Sequence, residues 1–83
     1  MQKAITSQNY INLTSYLKKR RLELGLSMRD LGERIDQPHS FVQKLEDGQK
    51  KLDIYQYVQY CEALELDAPE TQRILVVQPM PFW

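Results

Sequence analysis

Residues 26–48 read LSMRDLGERIDQPHSFVQKLEDG, two short amphipathic pieces parted by Asp36-Gln37-Pro38. Pro38 disfavours a helical Gln37 and suits the first turn of a new helix, so one helix must stop and another start within three residues. In the first piece Ser27 is placed to cap, and Asp30 suits a positive helix N-terminus. Leu31 and Ile35 form its apolar stripe. Gly32 is small and lets another backbone approach, at some cost in helix propensity. The second piece buries Phe41, Val42 and Leu45, and Gly48 ends it. His39, Ser40, Gln43 and Lys44 then share the opposite face and point outward.

The flanks read the same way. Residues 1–9 have no periodic pattern and are expected to form a mobile arm. From Tyr10 the pattern is helical: Leu13, Leu17 and Leu24 fall at 3.6-type spacing, Arg20 and Arg21 lie between them, and Gly25 is a stop. After the polar run Gln49-Lys50-Lys51, Asp53 can cap a fourth helix with an inner face of Ile54, Tyr57, Val58, Cys61 and Leu64. Tyr55 and Tyr60 would point outward from it, as exposed aromatics at an interface do. Asp67 and Pro69 start a short fifth helix to about Leu75. The segment that follows, VVQPMPFW, holds two prolines and cannot continue a helix. The expected architecture is all-α: five helices with short connections over residues 10–75, then a short extended apolar tail over residues 76–83.

Composition bounds the functions open to such a chain. Its 83 residues suit one domain, whose small core stands to gain stability by dimerising. No apolar run is long enough to span a bilayer, and MQKAITSQNY lacks the apolar core of a secretory signal. With one cysteine, Cys61, no internal disulfide can form, so a cytoplasmic location is expected. One His and one Cys cannot close a zinc site, and no carboxylate lies at ligand spacing from His39. There is no nucleophile–base pair and no phosphate-cradling glycine loop, so neither catalysis nor a cofactor is expected. Net charge is zero but polarised: +4 over residues 1–35, 0 over 36–52 and −4 over 53–83. A basic face can coexist with that total, although non-specific affinity for DNA should be weak.

Helix, tight break and second helix with a polar outer face is the unit that docks in the major groove of double-stranded DNA. The N-terminal residues of such a helix reach base edges. Gln43 can grip adenine, Lys44 can reach guanine or a phosphate, and His39 and Ser40 can donate to base or backbone.

Over residues 17–66 the chain resembles the lambda-repressor-like, or Cro-like (XRE-type), helix-turn-helix family. The resemblance rests on LKKRRLELGLSMRDLGERI, SFVQKLEDGQK and YVQYCEALEL, above all on Arg21, Gly25-Leu26-Ser27, Leu31-Gly32, Ile35, Val42, Leu45-Glu46, Gly48 and Ala63-Leu64. It implies a five-helix DNA-binding fold and a repressor acting as a homodimer on a short inverted repeat. It also implies a buried pair between Arg21 and Glu46, with His39, Ser40, Gln43 and Lys44 as base contacts. Phosphate contacts would come from Arg20, Ser27, Met28, Pro38, Gln49, Lys50 and Lys51. Met28 stands where the family usually has Gln, Asp36 replaces the usual turn Gly, and Pro38 replaces a Ser or Thr cap. Those departures suit a rival reading: an antitoxin or phage or plasmid accessory protein on the same fold, gripping a partner such as a toxin. Tyr55, Tyr60, Val77, Phe82 and Trp83 are the candidate contacts to a second subunit or partner. The tail is too apolar to stay free. It is expected to meet a second subunit, its own domain or another protein.

Overall fold

Four of the five helices end in the same way, and that repetition shapes the domain. The structure, a computed structural model, describes residues 8–75. Most of the expected arm, and Val77, Phe82 and Trp83, lie outside the described residues. The order is α1 (Gln8–Glu23), α2 (Met28–Arg34), α3 (His39–Glu46), α4 (Ile54–Ala63), α5 (Ala68–Gln72) and a closing 3-10 turn (Arg73–Leu75). Helix α1 thus begins two residues before the expected Tyr10, and the last turn of the fifth helix tightens.

After α1, α2, α3 and α4 one residue turns left-handed: Gly25 (φ 74°), Asp36 (59°), Gly48 (79°) and Glu65 (60°). The next amide then reaches back to the last turn: Leu26 N–H to Arg21 O, Gln37 to Gly32, Gln49 to Lys44 and Leu66 to Cys61, at 2.8–3.0 Å. This is the Schellman arrangement, which satisfies carbonyls that a helix end would strand. Two of the four sites lack glycine. Asp36→Gly is expected to raise stability by roughly 0.5 kcal/mol, relief of the left-handed strain outweighing the added freedom of the unfolded chain. That is a rise of about 2–4 °C in Tm. An unchanged or lower Tm would show that the Asp36 side chain contributes more than its backbone costs.

Helix starts are as regular. Ser27 and Asp53 each complete a capping box, with Asp30 and Gln56 returning the bond, and Asp67 caps α5. Pro38 occupies the cap position of α3, one residue outside the helix, and offers no side-chain bond. The core gathers Leu13 and Leu17 of α1, Leu31 and Ile35 of α2, Phe41, Val42 and Leu45 of α3, and Tyr57, Tyr60, Cys61 and Leu64 of α4.

Helix α4 corrects the expected face. Ile54 is 78% exposed and Val58 is exposed, while Tyr60, expected outside as an interface residue, is fully buried. The buried set 57, 60, 61, 64 and the expected set 54, 57, 61, 64 with 58 are both helical stripes. The polar stripe of Gln56, Gln59 and Glu62 is flanked by apolar residues on both sides, Tyr60 at one edge and Ile54 and Val58 at the other, so periodicity alone does not choose which edge is covered. The neighbours choose: Ile54 opens the first turn, whereas Tyr60 is enclosed near the buried Arg21 and Glu46. Burial, with Glu46 close by, raises the pKa of the Tyr60 hydroxyl above its ordinary value. Tyr55 remains outside, at 70% exposure. Cys61 is a buried thiol whose pKa burial pushes up, which disfavours the reactive thiolate.

Candidate nucleic-acid interface

The polar face of α3 is held out by what lies behind it. Phe41, Val42 and Leu45 are buried, and His39, Ser40, Gln43 and Lys44 are all exposed. Two further devices fix the helix. At its start, the turn from α2 lies hard against Gly32: a Cβ there would sit 2.5 Å from Gln37 O and 3.3 Å from the Pro38 carbonyl carbon. At its end, the Arg21 guanidinium grips Glu46 with two bonds, Nε to Oε2 at 2.7 Å and Nη2 to Oε1 at 3.1 Å. Its Nη1 donates to Leu26 O at 2.8 Å, so one buried cation joins α1, α3 and the α1–α2 turn. Both side chains are almost fully enclosed. A bidentate, fully bonded pair of this kind fixes geometry more surely than it adds net stability.

The loop after α3 is tied down as well. Tyr10 donates its hydroxyl to Lys50 O at 2.9 Å and accepts from Leu52 N at 3.1 Å. The Lys50 ammonium lies 5.2 Å from the centre of the Phe41 ring, within cation–π range. Gln49 and Lys51 are exposed and Lys50 is half-buried. These three present polar or cationic groups beside the end of α3.

The residues expected at phosphate divide. Pro38 is exposed next to the start of α3, where no side chain caps the first amides. Ser27 is exposed, but its oxygen accepts from Asp30 N at 2.9 Å while Asp30 Oδ2 accepts from Ser27 N. Those bonds hold the Asp30 carboxyl below its usual range and keep an anion beside Ser27.

Two of the residues expected at phosphate make contacts inside the domain. Met28 is half-buried and packs against the core, because an apolar thioether gains more from burial than from a charged surface. Arg20 is spent elsewhere: its Nε donates to Leu64 O at 3.0 Å, with Glu23 nearby. Arg34 Nη1 donates to Ala63 O at 2.8 Å. Two arginines from other helices therefore serve the last carbonyls of α4, where cations are favoured and α4 supplies none. Sequence reasoning missed this role for Arg34, and also missed Arg29. Arg29 is exposed in the first turn of α2, with no ion pair among the described residues. A cation there opposes the helix dipole, a local signal that its place is not set by helix stability.

Among the described residues no group of His, Cys, Asp and Glu could hold a metal, and no helix is long and apolar enough to cross a membrane.

The comparisons with known proteins agree with this geometry. The helix-turn-helix family profile matches residues 17–70. Among solved structures, an XRE-family-like protein from Pseudomonas syringae pv. tomato superposes with TM-score 0.75 at 27% identity, covering 81% of this chain and 82% of that one. A point mutant of the restriction-modification controller protein C.Esp1396I gives TM-score 0.74 at 23% identity over 83% and 87% of the two chains. The clp gene regulator ClgR from Corynebacterium glutamicum gives 0.72 at 20% identity over 83% and 90%. At those lower identities the likeness is one of fold. No curated protein matches the chain. Helix order, the close turn at Gly32 and the profile match converge: the chain belongs to the XRE-type helix-turn-helix family of DNA-binding regulators.

Proposed function

We propose that the protein reads a specific double-stranded DNA sequence with α3 in the major groove and represses transcription as a homodimer on an inverted repeat. The observation that carries this reading is the outer face of α3: four exposed polar side chains on a helix locked from behind by Gly32, the apolar stripe and the Arg21–Glu46 pair. His39, Ser40, Gln43 and Lys44 are assigned to bases. Ser27, Pro38, Gln49, Lys50 and Lys51 are assigned to phosphates together with Arg29, whereas Arg20 and Met28 are assigned to contacts inside the domain. The mechanism is occupancy: α3 specifies the site while the flanking groups fix register on the backbone.

Enrichment of random duplex DNA on the purified protein at near-physiological salt tests it. An enriched inverted repeat supports the homodimer and reports half-site spacing. At that site Gln43→Ala or Lys44→Ala should each cost about 1–3 kcal/mol, roughly 5- to 150-fold in Kd. Both residues are exposed, so truncation should leave thermal melts unchanged. Unchanged affinity for both variants would remove α3 from the readout.

A second reading, a protein-interaction module such as an antitoxin, is favoured by one observation. Tyr55 and Val58 form an exposed apolar strip on α4. In the homodimer this strip is the assigned subunit contact. In the second reading it meets a partner such as a toxin. Flat enrichment, with binding that vanishes as salt rises, would favour the second reading.

A further inference from the structure

A groove of about 340 Å³ opens between the N-terminal half of α1, the start of α4 and the closing 3-10 turn. Tyr10, Leu13, Leu52, Ile54, Tyr57 and Leu75 line it, and Asp53 and Gln72 are its polar members. An apolar cavity of about 150 Å³ already holds a benzene-sized group, so this groove has room for more than one side chain. Two apolar residues at its rim are wet: Ile54 is 78% exposed and Leu75 38%. Water against such a concave apolar surface is unfavourable, and patches of this kind mark contact sites.

We infer that the occupant is this chain's own segment 76–83. The chain leaves the described fold at Leu75, itself a groove residue, whose carbonyl oxygen accepts from Asn9 Nδ2 of α1 at 3.3 Å. The next residue therefore starts at the groove's edge. The segment VVQPMPFW carries no charged side chain and is mostly aliphatic or aromatic. Its two prolines favour an extended path over a further helix turn. Eight extended residues reach about 26 Å, and a segment tethered at the rim meets the groove at an effective concentration in the millimolar range. Intermolecular competitors lack that advantage. The seat also bears on the loop, because Tyr10 in its wall holds both Lys50 and Leu52. The inference does not depend on the DNA reading.

Trp83 is the single tryptophan, so fluorescence excited at the red edge of the tryptophan band, where the five tyrosines do not absorb, reports on the segment alone. The expected result for the full chain is blue-shifted emission and weak acrylamide quenching, both independent of protein concentration. Ile54→Lys, at a position too exposed to support the fold, should shift the emission to the red and restore quenching, with the circular dichroism spectrum unchanged. Solvent-exposed emission from the wild type would overturn the inference. A mixing experiment separates one copy from two: Ile54→Lys chains are combined with chains lacking 76–83. Emission that stays red in the mixture supports docking within one chain. Recovery of the blue shift means that the segment seats on a second copy, and overturns it.

Discussion

Arg21→Ala is expected to lower the stability of the domain by about 3–5 kcal/mol, the cost of stranding a buried charge. The Glu46 carboxylate loses both its bonds and keeps its burial, with a side chain only 2% exposed. Leu26 O loses its donor too. Natural domains hold about 5–15 kcal/mol in all, and small ones sit at the low end. The variant should therefore be partly unfolded at 37 °C. Urea titration checks this: the midpoint should fall while the slope stays constant. The double variant Arg21→Met/Glu46→Leu should regain most of the loss, because removing both charges removes the desolvation cost. A single mutant as stable as wild type would mean that water reaches Glu46 and that α3 is not held by this pair.

Gly32→Ala is expected to destabilise by about 1–3 kcal/mol, the usual cost of forcing extra volume into a packed site. The new Cβ would meet Gln37 O at 2.5 Å, and that atom is backbone in a turn pinned by the Gln37 N–H to Gly32 O bond at 2.8 Å. The turn must move, and α3 moves with it. The loss therefore exceeds the roughly 1 kcal/mol that Ala gains over Gly in helix propensity. Affinity for the enriched DNA site should fall by more than the unfolded fraction explains. Gly25→Ala is the control. Its φ of +74° makes alanine strained, yet nothing lies within 4 Å of the added atom. It should cost about 1 kcal/mol and leave the affinity of the folded fraction intact. A higher melting temperature for Gly32→Ala would show that propensity wins and that the close approach yields easily.

The contrast between these glycines shows what was legible. Gly25 and Gly48 announce helix ends because a left-handed residue is a local requirement. Asp36 could be recognised as a tolerable substitute. Glu65 could not, since glutamate carries no preference for that conformation, and its end is secured by Arg34 and Arg20 from other helices. The outer face of α3 was legible because its apolar stripe is narrow. Tyr60 was misplaced because it borders Gln56 at one edge of the apolar surface of α4, while Ile54 and Val58 sit at the other edge, and the pattern does not say which edge is covered. The internal contacts of Arg20 and Met28 were hidden for a related reason. A guanidinium suits a phosphate or a carbonyl equally, and a thioether at a helix start is free to turn inward when the core has room.

The sequence by itself determined where α2 and α3 start and stop, through caps, prolines and left-handed residues whose energetics span five or six positions. It also determined which residues of α2 and α3 are inside. Only the tertiary structure decided which stripe of α4 is buried, where the charge of Arg20 goes, and that Tyr10, Leu52, Ile54 and Leu75 enclose a groove. Those outcomes depend on contacts with residues 42 to 66 positions away, and the best-packed arrangement wins over local patterns that are nearly equal in energy.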